Sequence, residues 1–273
     1  GTGWRFACRP ARRSWLVVRA GGLKASRADA DGGVLGTAYR SLGVDEFVFR
    51  DRAIYLPATE TLVLADLHLG RSAVSNVSVP LGESTDLLDR FSQLRARFDP
   101  STVVFAGDLL HSFSTVPDGV GETVTELHDQ CVDDGVEVIA IEGNHDRLLE
   151  GVWPASVEPA TKLDDGTVVC HGHEEPELSG DRYLIGHDHP AITIEGVKRP
   201  CLCVDPTGYR DSEVIVLPAF TRLTGGVELN ALRANAFQSP LVSSVDALHP
   251  VVWDADRETT LSFPPLGEFR RLL

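Results

Sequence analysis

The stretch TLVLADLHLG, residues 61–70, decides the fold. Its first half, Thr61–Ala65, is a short apolar run, which is typical of a strand buried on both faces. Its second half places Asp66 and His68 directly after that run. In open α/β sheets, the side chains at the carboxyl ends of the strands form the functional crevice. The stretch therefore predicts a buried strand that delivers polar side chains to the rim of an α/β sheet.

The same arrangement recurs four more times along the chain, each time as an apolar run followed by a polar cluster. The pairs are Thr102–Ala106 before Gly107-Asp108, Val136–Ile141 before Gly143-Asn144-His145-Asp146, Thr167–Cys170 before His171-Gly172-His173, and Tyr183–Ile185 before Gly186-His187-Asp188-His189. Seven of the nine histidines lie in or beside these clusters, at positions 68, 111, 145, 171, 173, 187 and 189. Five strand ends are therefore expected to bring Asp, His and Asn side chains to one place.

Two helices, of which the first is amphipathic, and four further strands complete the predicted pattern. The helices are Gly82–Phe98 and Gly119–Asp133, and the strands are Ala53–Leu56, Ala191–Glu195, Pro200–Val204 and Val214–Leu217. Short apolar runs that alternate with helical stretches indicate an α/β protein. The second half is richer in strands than in helices.

The composition is that of a soluble globular protein, with 42% apolar and 24% charged residues in 273 and no apolar run of membrane-spanning length. Residues 1–41 carry eight basic and two acidic side chains, whereas the rest carry 17 basic and 38 acidic ones. We expect residues 1–41 to be a flexible basic extension upstream of the functional start, with a partner-binding arm as the alternative. Residues 42–273 are expected to form one domain.

The net charge of −15 comes with only three lysines. Asp and Glu keep proteins soluble in concentrated salt, so this balance favours a halophilic protein; a GC-rich genome is the alternative. The acidity argues against a large nucleic-acid-binding surface, although not against a local one. The five cysteines form no zinc-type pair, and we expect a cytoplasmic location.

The polar clusters offer carboxylate, imidazole and amide donors but no thiolate. That donor set suits a pair of Mn, Fe or Zn ions better than a structural zinc site. The five motifs, in this order from about Phe47 to Gly226, resemble the calcineurin-like metallophosphoesterase superfamily. His189-Pro190, Val216–Phe220 and Gly225-Gly226 look like its ICC-like and DNA-ligase-associated branch, and with the composition they suggest a haloarchaeal source.

The resemblance implies a four-layer α/β/β/α sandwich of two mixed sheets and a dinuclear metal centre. It assigns Asp66, His68 and His189 to a first metal, Asp108 to a bridge, and Asn144, His171 and His187 to a second metal. It makes His145 a general acid or a donor to a phosphoryl oxygen, with Asp146 fixing its ring. Two divalent ions are implied, Mn first, with Fe, Zn, Ni or Co as alternatives.

The implied reaction is the hydrolysis of a phosphate ester, a diester in preference, with metal-bound hydroxide as nucleophile. The alternatives are a DNA or RNA nuclease acting with DNA-repair proteins, and a non-catalytic scaffold on the same fold. Arg71 and His173 are the candidate substrate contacts, although Arg71 could instead pair with an acid. His111 is a supporting, substrate-contacting or surface residue, and Asp188 is expected to face solvent or support the ligands.

Overall fold

The computed structural model describes residues 46–71, 82–111, 114–231 and 237–270. The predicted extension, residues 1–41, lies outside these ranges. The first sheet has six strands in sequence order: β1 Val48–Arg50, β2 Ala53–Leu56, β3 Thr61–Leu64, β4 Thr102–Ala106, β5 Glu137–Ile141 and β6 Val157–Glu158. Strands β1 to β3 are antiparallel, and β3 to β6 run parallel, so the sheet is mixed.

The second sheet is also mixed and holds nine strands. They are β7 Ala160–Lys162, β8 Thr167–Cys170, β9 Arg182–Ile185, β10 Pro190–Ile194, β11 Val197–Tyr209, β12 Ser212–Val216, β13 Val227–Glu228, β14 His249–Asp254 and β15 Thr259–Ser262. The main path runs β13-β10-β11-β12-β9-β8-β7, and β14 pairs with both β11 and β15. Strands β8, β9 and β12 are parallel neighbours, so their carboxyl ends share one edge.

Three apolar clusters show how the layers pack. One lies between the two sheets and includes Val63, Val104 and Leu184. Another joins the outer face of the first sheet to α1 (Glu83–Phe98) and α2 (Val120–Val132). In β3, Leu62 and Leu64 pack toward the helices, whereas Val63 packs toward the second sheet. Successive side chains of a strand point to opposite faces. Burial on both faces explains why the run is apolar at every position.

The third cluster covers the outer face of the second sheet. There, Cys201, Cys203 and Val216 pack with residues of α3 (Leu266–Phe269) and of a short 3-10 helix at Val245–Ala247. This outer layer is thin, since its helices in the described part of the chain are three or four residues long. The layers are therefore helices, sheet, sheet and a thin layer of short helices and irregular chain.

The predicted α/β fold with two mixed sheets is confirmed, and most predicted elements agree with the structure to within a residue or two. Pro200–Val204 is the central part of the longer β11. The hairpin of β14 and β15 was not predicted, because its strands alternate weakly around the charged turn at 255–258. No helix among the described residues is long and apolar enough to cross a membrane.

Candidate active site

The first two motifs lie side by side because their strands are parallel neighbours. The Asp66 amide donates to the Gly107 carbonyl at 3.0 Å, and the His68 amide donates to the Asp108 carbonyl at 2.9 Å. These bonds continue the pairing of β3 with β4 beyond the ends of both strands. They hold Asp66, His68 and Asp108 at one edge of the first sheet.

Five of the motif residues have left-handed backbone conformations, which only glycine adopts without strain. They are Asp66, His68, Asp108, His187 and His189, with φ between 46° and 69°. Residues held in such conformations cluster at functional sites, where the surrounding structure offsets their cost of about 1–3 kcal/mol each. The strained turns follow β3, β4 and β9 and together form the floor of the site.

Close approach explains two glycines of the motifs. A Cβ atom at Gly143 would lie 2.2 Å from both the amide nitrogen and Oδ1 of Asp108. A Cβ atom at Gly186 would lie 2.5 Å from Oδ2 of Asp66. Both distances are shorter than any real contact of a Cβ atom. The glycines therefore let one motif pack directly against the carboxylate of another.

Asp66, His68 and His189 form the first group of donor atoms, all within 4.8 Å of one another. His189 Nε2 lies 3.0 Å from Asp66 Oδ1 and 3.2 Å from His68 Nε2. Two imidazole nitrogens bound to one ion at about 2.1 Å in a tetrahedral site would be about 3.4 Å apart. The three side chains thus fit a single cation.

Asp66, Asp108 and His171 form the second such group. His171 Nδ1 lies 3.1 Å from the Ala106 carbonyl oxygen, which orients the ring and leaves Nε2 directed into the site. His171 Nε2 lies 3.4 Å from Asp108 Oδ2 and 3.1 Å from Asn144 Oδ1. Asn144, predicted from its motif, therefore faces the same point as the second group.

Asp66 belongs to both groups, whereas Asp108 belongs to the second group and also faces His68 of the first. Asp108 Oδ1 accepts a hydrogen bond from the His145 amide at 2.9 Å, so its Oδ2 is the oxygen that faces the site. Asp108 Oδ2 is 3.8 Å from His68 Nε2 and 3.4 Å from His171 Nε2. A carboxylate between two sets of donors is placed to bridge two cations.

His187 and His173 lie beside the second group. Their rings are 6.2 Å apart, and each is within 5.3 Å of the His171 ring, centroid to centroid. The His187 amide donates to Asp66 Oδ2 at 3.0 Å. Among the described residues, neither imidazole belongs to the two groups of converging donors. His171 is the more buried member of the His-Gly-His motif, and His173 is half-buried.

Burial and charge act in opposite directions on these imidazoles. Burial lowers the pKa of His68 to about 4, and burial together with the charge of His171 lowers the pKa of His187 to about 4. Burial also opposes protonation of His171, but hydrogen bonding and negative charge from Asp108 raise its pKa to about 9. Despite its own burial, Asp108 has a pKa below the ordinary value because of His171. His68 and His187 are therefore neutral donors at pH 7.

His145 and His111 form a parallel pair beside the first group. Their rings are 5.9 Å apart with an interplanar angle of 9°, and His145 lies edge-on to His68 at 5.4 Å. The His145 side chain is 34% exposed, and its Nε2 lies 3.9 Å from Asp108 Oδ2. Burial, and after it the positive charge of Arg71, lowers the pKa of His111. Arg71 is thus close enough to His111 for its charge to act on that imidazole.

Asp146 has a different place from the one predicted. Its Oδ1 accepts from the Leu110 amide at 2.8 Å, and its Oδ2 accepts from the Gly143 amide at 2.9 Å and the Leu109 amide at 3.3 Å. His145 Nδ1 has no hydrogen-bond partner among the described residues. A buried carboxylate needs such donors, and here they come from the backbone. Asp146 thus ties the Asp108 motif to the Asn144 motif rather than fixing the His145 ring.

Of the two places expected for Asp188, solvent or a supporting position, the structure has the supporting one, because the side chain is buried. Its carboxylate accepts from the Gln238 amide at 2.7 Å and from the Ser239 amide at 3.1 Å. Burial raises the pKa of Asp188, while these two hydrogen bonds act against that shift. The alternation that turns it away from His187 and His189 points it into the protein. Asp188 therefore anchors the turn that carries both histidines.

Sequence reasoning missed the support beneath Asp66. The Phe220 amide donates to the Ala65 carbonyl at 2.8 Å, and the Thr221 amide donates to the Asp66 carbonyl at 3.3 Å. Arg90 is buried, stacks on the Phe220 ring at 4.1 Å, and donates to the Phe220 carbonyl. The burial of Arg90 could not be predicted from its position on α1, since arginines are mostly exposed.

The donor set fits divalent cations. The side chains of Asp66 and Asp108 are 0% and 2% exposed, and buried carboxylates are costly unless they are paired or coordinate a metal. The groups around them are imidazoles, two of which are neutral at pH 7. Carboxylate, imidazole and amide oxygen are donors for Mn, Fe and Zn alike. The site therefore meets the chemical requirements of a metal centre, and its donors do not select one metal.

Comparisons with known proteins give a family match over the part of the chain that carries the motifs. The sequence pattern of the calcineurin-like phosphoesterase family matches residues 60–201, which is more than half of the chain and spans all five motifs. Among curated proteins, no significant match was found.

Two solved structures are similar to this chain. The nuclease MPE of Pseudomonas putida has a TM-score of 0.54 and 26% sequence identity, over 77% of this chain and 92% of that one. The phosphoesterase Yfce of E. coli has a TM-score of 0.37 and 17% identity, over 72% of this chain and 88% of that one. On its family match and its fold, the chain belongs to the calcineurin-like phosphoesterases, hydrolases that act on phosphate esters.

Proposed function

We propose that this protein hydrolyses phosphodiesters with two divalent metal ions, Mn in preference. The observation that carries the proposal is the position of Asp108, whose Oδ2 faces His68 of one donor group and His171 of the other. Asp66, His68 and His189 would hold the first metal. Asn144, His171 and His187 would hold the second, and Asp108 would bridge the two.

Two divalent ions would clamp the phosphoryl oxygens and lower the pKa of a bound water toward about 7. The chain's own residues set the surroundings. Asn144 contributes an oxygen without negative charge, so the centre stays attractive to a phosphate. Asp66 and Asp108 are the only carboxylates among the predicted ligands, which limits their neutralisation of the cations to two charges.

His145 is proposed to act on the substrate rather than on the metals. Its side chain is partly exposed, and its backbone amide holds Asp108 in place. A histidine at the open side of the site can donate a proton or a hydrogen bond to a leaving oxygen, with a typical gain of about 10²–10⁴ in rate. His173, half-buried beside the second group, and Arg71, close to His111, are proposed as contacts to the substrate.

The second candidate function is a nuclease. It is favoured by the similarity to the Pseudomonas putida nuclease MPE, which extends over most of both chains. A nuclease is a phosphodiesterase that acts on a strand, so the same metal centre would serve both activities. Action with DNA-repair proteins would belong to this candidate.

The test is a substrate panel with the full chain and Mn²⁺, at low and at molar KCl. It contains bis(p-nitrophenyl) phosphate, p-nitrophenyl phosphate, cyclic nucleotides and single-stranded DNA. Faster turnover of the diester than of the monoester is expected. Cleavage of DNA alone would establish the nuclease reading. Turnover of none of them would count against the proposal, as would turnover of the monoester only.

A further inference from the structure

We propose that a pocket beside His189 binds a second phosphate of the substrate, next to the phosphate that is cleaved. This inference rests on the proposed phosphodiesterase function and specifies its substrate as an oligonucleotide strand. The pocket has a volume of about 220 Å³ and is lined by His189, the basic side chains of Arg52 and Lys198, and three prolines, among others. It is joined to the site because His189 belongs to both.

The size and walls of the pocket suit a small anionic group. A volume of 220 Å³ is below the range of about 300–1,000 Å³ that is typical for whole small-molecule ligands. It is enough for a phosphate and part of its sugar. Pro190, Pro200 and Pro218 form rigid apolar walls, since the proline ring fixes the backbone. The two cationic side chains supply the charge.

The charge balance around Arg52 is positive. Arg52 donates to the carbonyls of Ala219 and Thr221, so its head is fixed in place. Arg90 and Arg222 lie close to it, and both contact Asp51 and Asp86. The carboxylates of Asp51 and Asp86 thus contact Arg90 and Arg222, whereas the hydrogen bonds of the Arg52 head in the described part of the chain go to backbone carbonyls. Lys198 adds another positive charge, since its Nζ donates only to the Gly226 carbonyl, at 2.8 Å, among the described residues.

The opposite side of the site has the reverse charge. A pocket of about 610 Å³ beside His171 and His173 is lined by five glutamates, at positions 142, 158, 174, 175 and 177. Arg210 contacts one of them, Glu175, at 3.1 Å. A strand with several phosphates would be repelled there and attracted by Arg52 and Lys198. In a chain of net charge −15, this contrast gives a bound strand one favoured side.

Lys198 is the residue to change, because Arg52 also supports the chain at 219–221. Lys162 is the matched control, since it is an exposed lysine whose Nζ donates to the Ser179 carbonyl at 2.8 Å, in the same way as Lys198. The variants are Lys198→Gln, Lys198→Glu and Lys162→Gln. Binding of fluorescein-labelled octathymidylate is measured by anisotropy at several KCl concentrations, with Ca²⁺ in place of Mn²⁺ to spare the strand.

One lost phosphate contact lowers the slope of log K against log salt by about 0.7 for a single strand. Lys198→Gln is expected to show this smaller slope. Its affinity for the strand should be roughly fivefold weaker, which corresponds to the loss of one of the stronger exposed charge pairs. Lys198→Glu should bind more weakly still, and Lys162→Gln should match the wild type. The melting temperature is measured for each variant. A slope lowered by one contact at an unchanged melting temperature indicates a lost phosphate contact, because a general loss of structure would also lower the melting temperature.

Equal slopes for the wild type and Lys198→Gln would overturn the proposal, as would the absence of any strand binding. Hydrolysis of bis(p-nitrophenyl) phosphate, which has a single phosphate, tests the proposed function separately. If the wild type hydrolyses it while the slopes are equal, only the pocket is refuted. If the wild type does not hydrolyse it, the proposed function fails, and the slopes still decide whether the pocket binds phosphate.

Discussion

Oδ2 of Asp108 lies 3.4 Å from Nε2 of His171, and the same oxygen faces His68 at 3.8 Å. A buried carboxylate with imidazoles on two sides connects the two donor groups into one centre. Asp108 is therefore placed to be the ligand that the two cations of the proposed dinuclear centre share.

Asp108→Asn is expected to abolish turnover of bis(p-nitrophenyl) phosphate while the protein stays folded. An amide keeps the shape of the carboxylate but removes the negative charge between the two groups. Loss of a residue that merely supports a metal ligand typically costs about 10–100-fold, so loss of this ligand should cost at least about 100-fold in kcat/KM. Circular dichroism and steady-state kinetics with excess Mn²⁺ check it. Wild-type activity in this variant would rule out the bridging role.

His145→Gln is expected to lower kcat by about 10²–10⁴ and to leave Mn²⁺ binding close to that of the wild type. The reason is that His145 is placed at the open side of the centre and is not one of the converging donors. His128→Gln is the control, since His128 lies on α2 and packs against Trp153 away from the motifs. A large loss of bound metal in His145→Gln would instead make His145 a ligand.

Gly143→Ala is expected to disrupt the site although it adds one methyl group. The new Cβ would lie 2.2 Å from Asp108 Oδ1 and would displace that carboxylate. Gly121→Ala is the control, because a Cβ there meets nothing within 4 Å and alanine favours the helix, by about 0.5–1 kcal/mol. Gly143→Ala should have a lower melting temperature and a lower affinity for Mn²⁺ in titrations. Gly121→Ala should have a slightly higher melting temperature. Unchanged metal binding in Gly143→Ala would contradict the packing described here.

Asp146→Asn is expected to weaken both the fold and the metal centre. Its carboxylate accepts three backbone hydrogen bonds that join two motif loops, and an amide offers only one oxygen to them. Leaving buried amides unpaired costs about 1–3 kcal/mol, and a misplaced Asp108 should reduce Mn²⁺ affinity by about 10–100-fold. Asp133→Asn, an exposed change at the end of α2, is the control. An effect on kcat alone, with normal stability and metal affinity, would return Asp146 to the role of orienting His145.

The sequence was sufficient to predict where the strands end, but not to predict which residues contact one another there. Thr61–Ala65 is apolar at each position because both faces of β3 are covered, and that pattern needs no knowledge of neighbouring strands. Parallel strands then bring their carboxyl ends together, so Asp66 and Asp108 could be placed at one edge. The order of the motifs further predicted which histidines lie near them.

Long-range contacts explain what the sequence did not predict. The resemblance implied that Asp146 fixes the ring of His145, yet its partners are amides 36 and 37 residues away and one at Gly143. Alternation turned Asp188 away from His187 and His189 without showing whether it faces solvent or supports the ligands, and residues 238 and 239 return to cover it. The basic pocket joins Arg52 to Lys198, which are far apart in the sequence and carry no common motif. Such contacts depend on the packing of the two sheets.

The metal content of the purified protein tests the central claim most directly. After incubation with Mn²⁺ and removal of free ions, mass spectrometry of the metal against protein concentration should give about two Mn per chain for the wild type. Asp108→Asn should hold one or fewer, because the bridging charge is lost. A wild-type content below about one Mn per chain, with no other divalent metal present, would contradict the dinuclear centre.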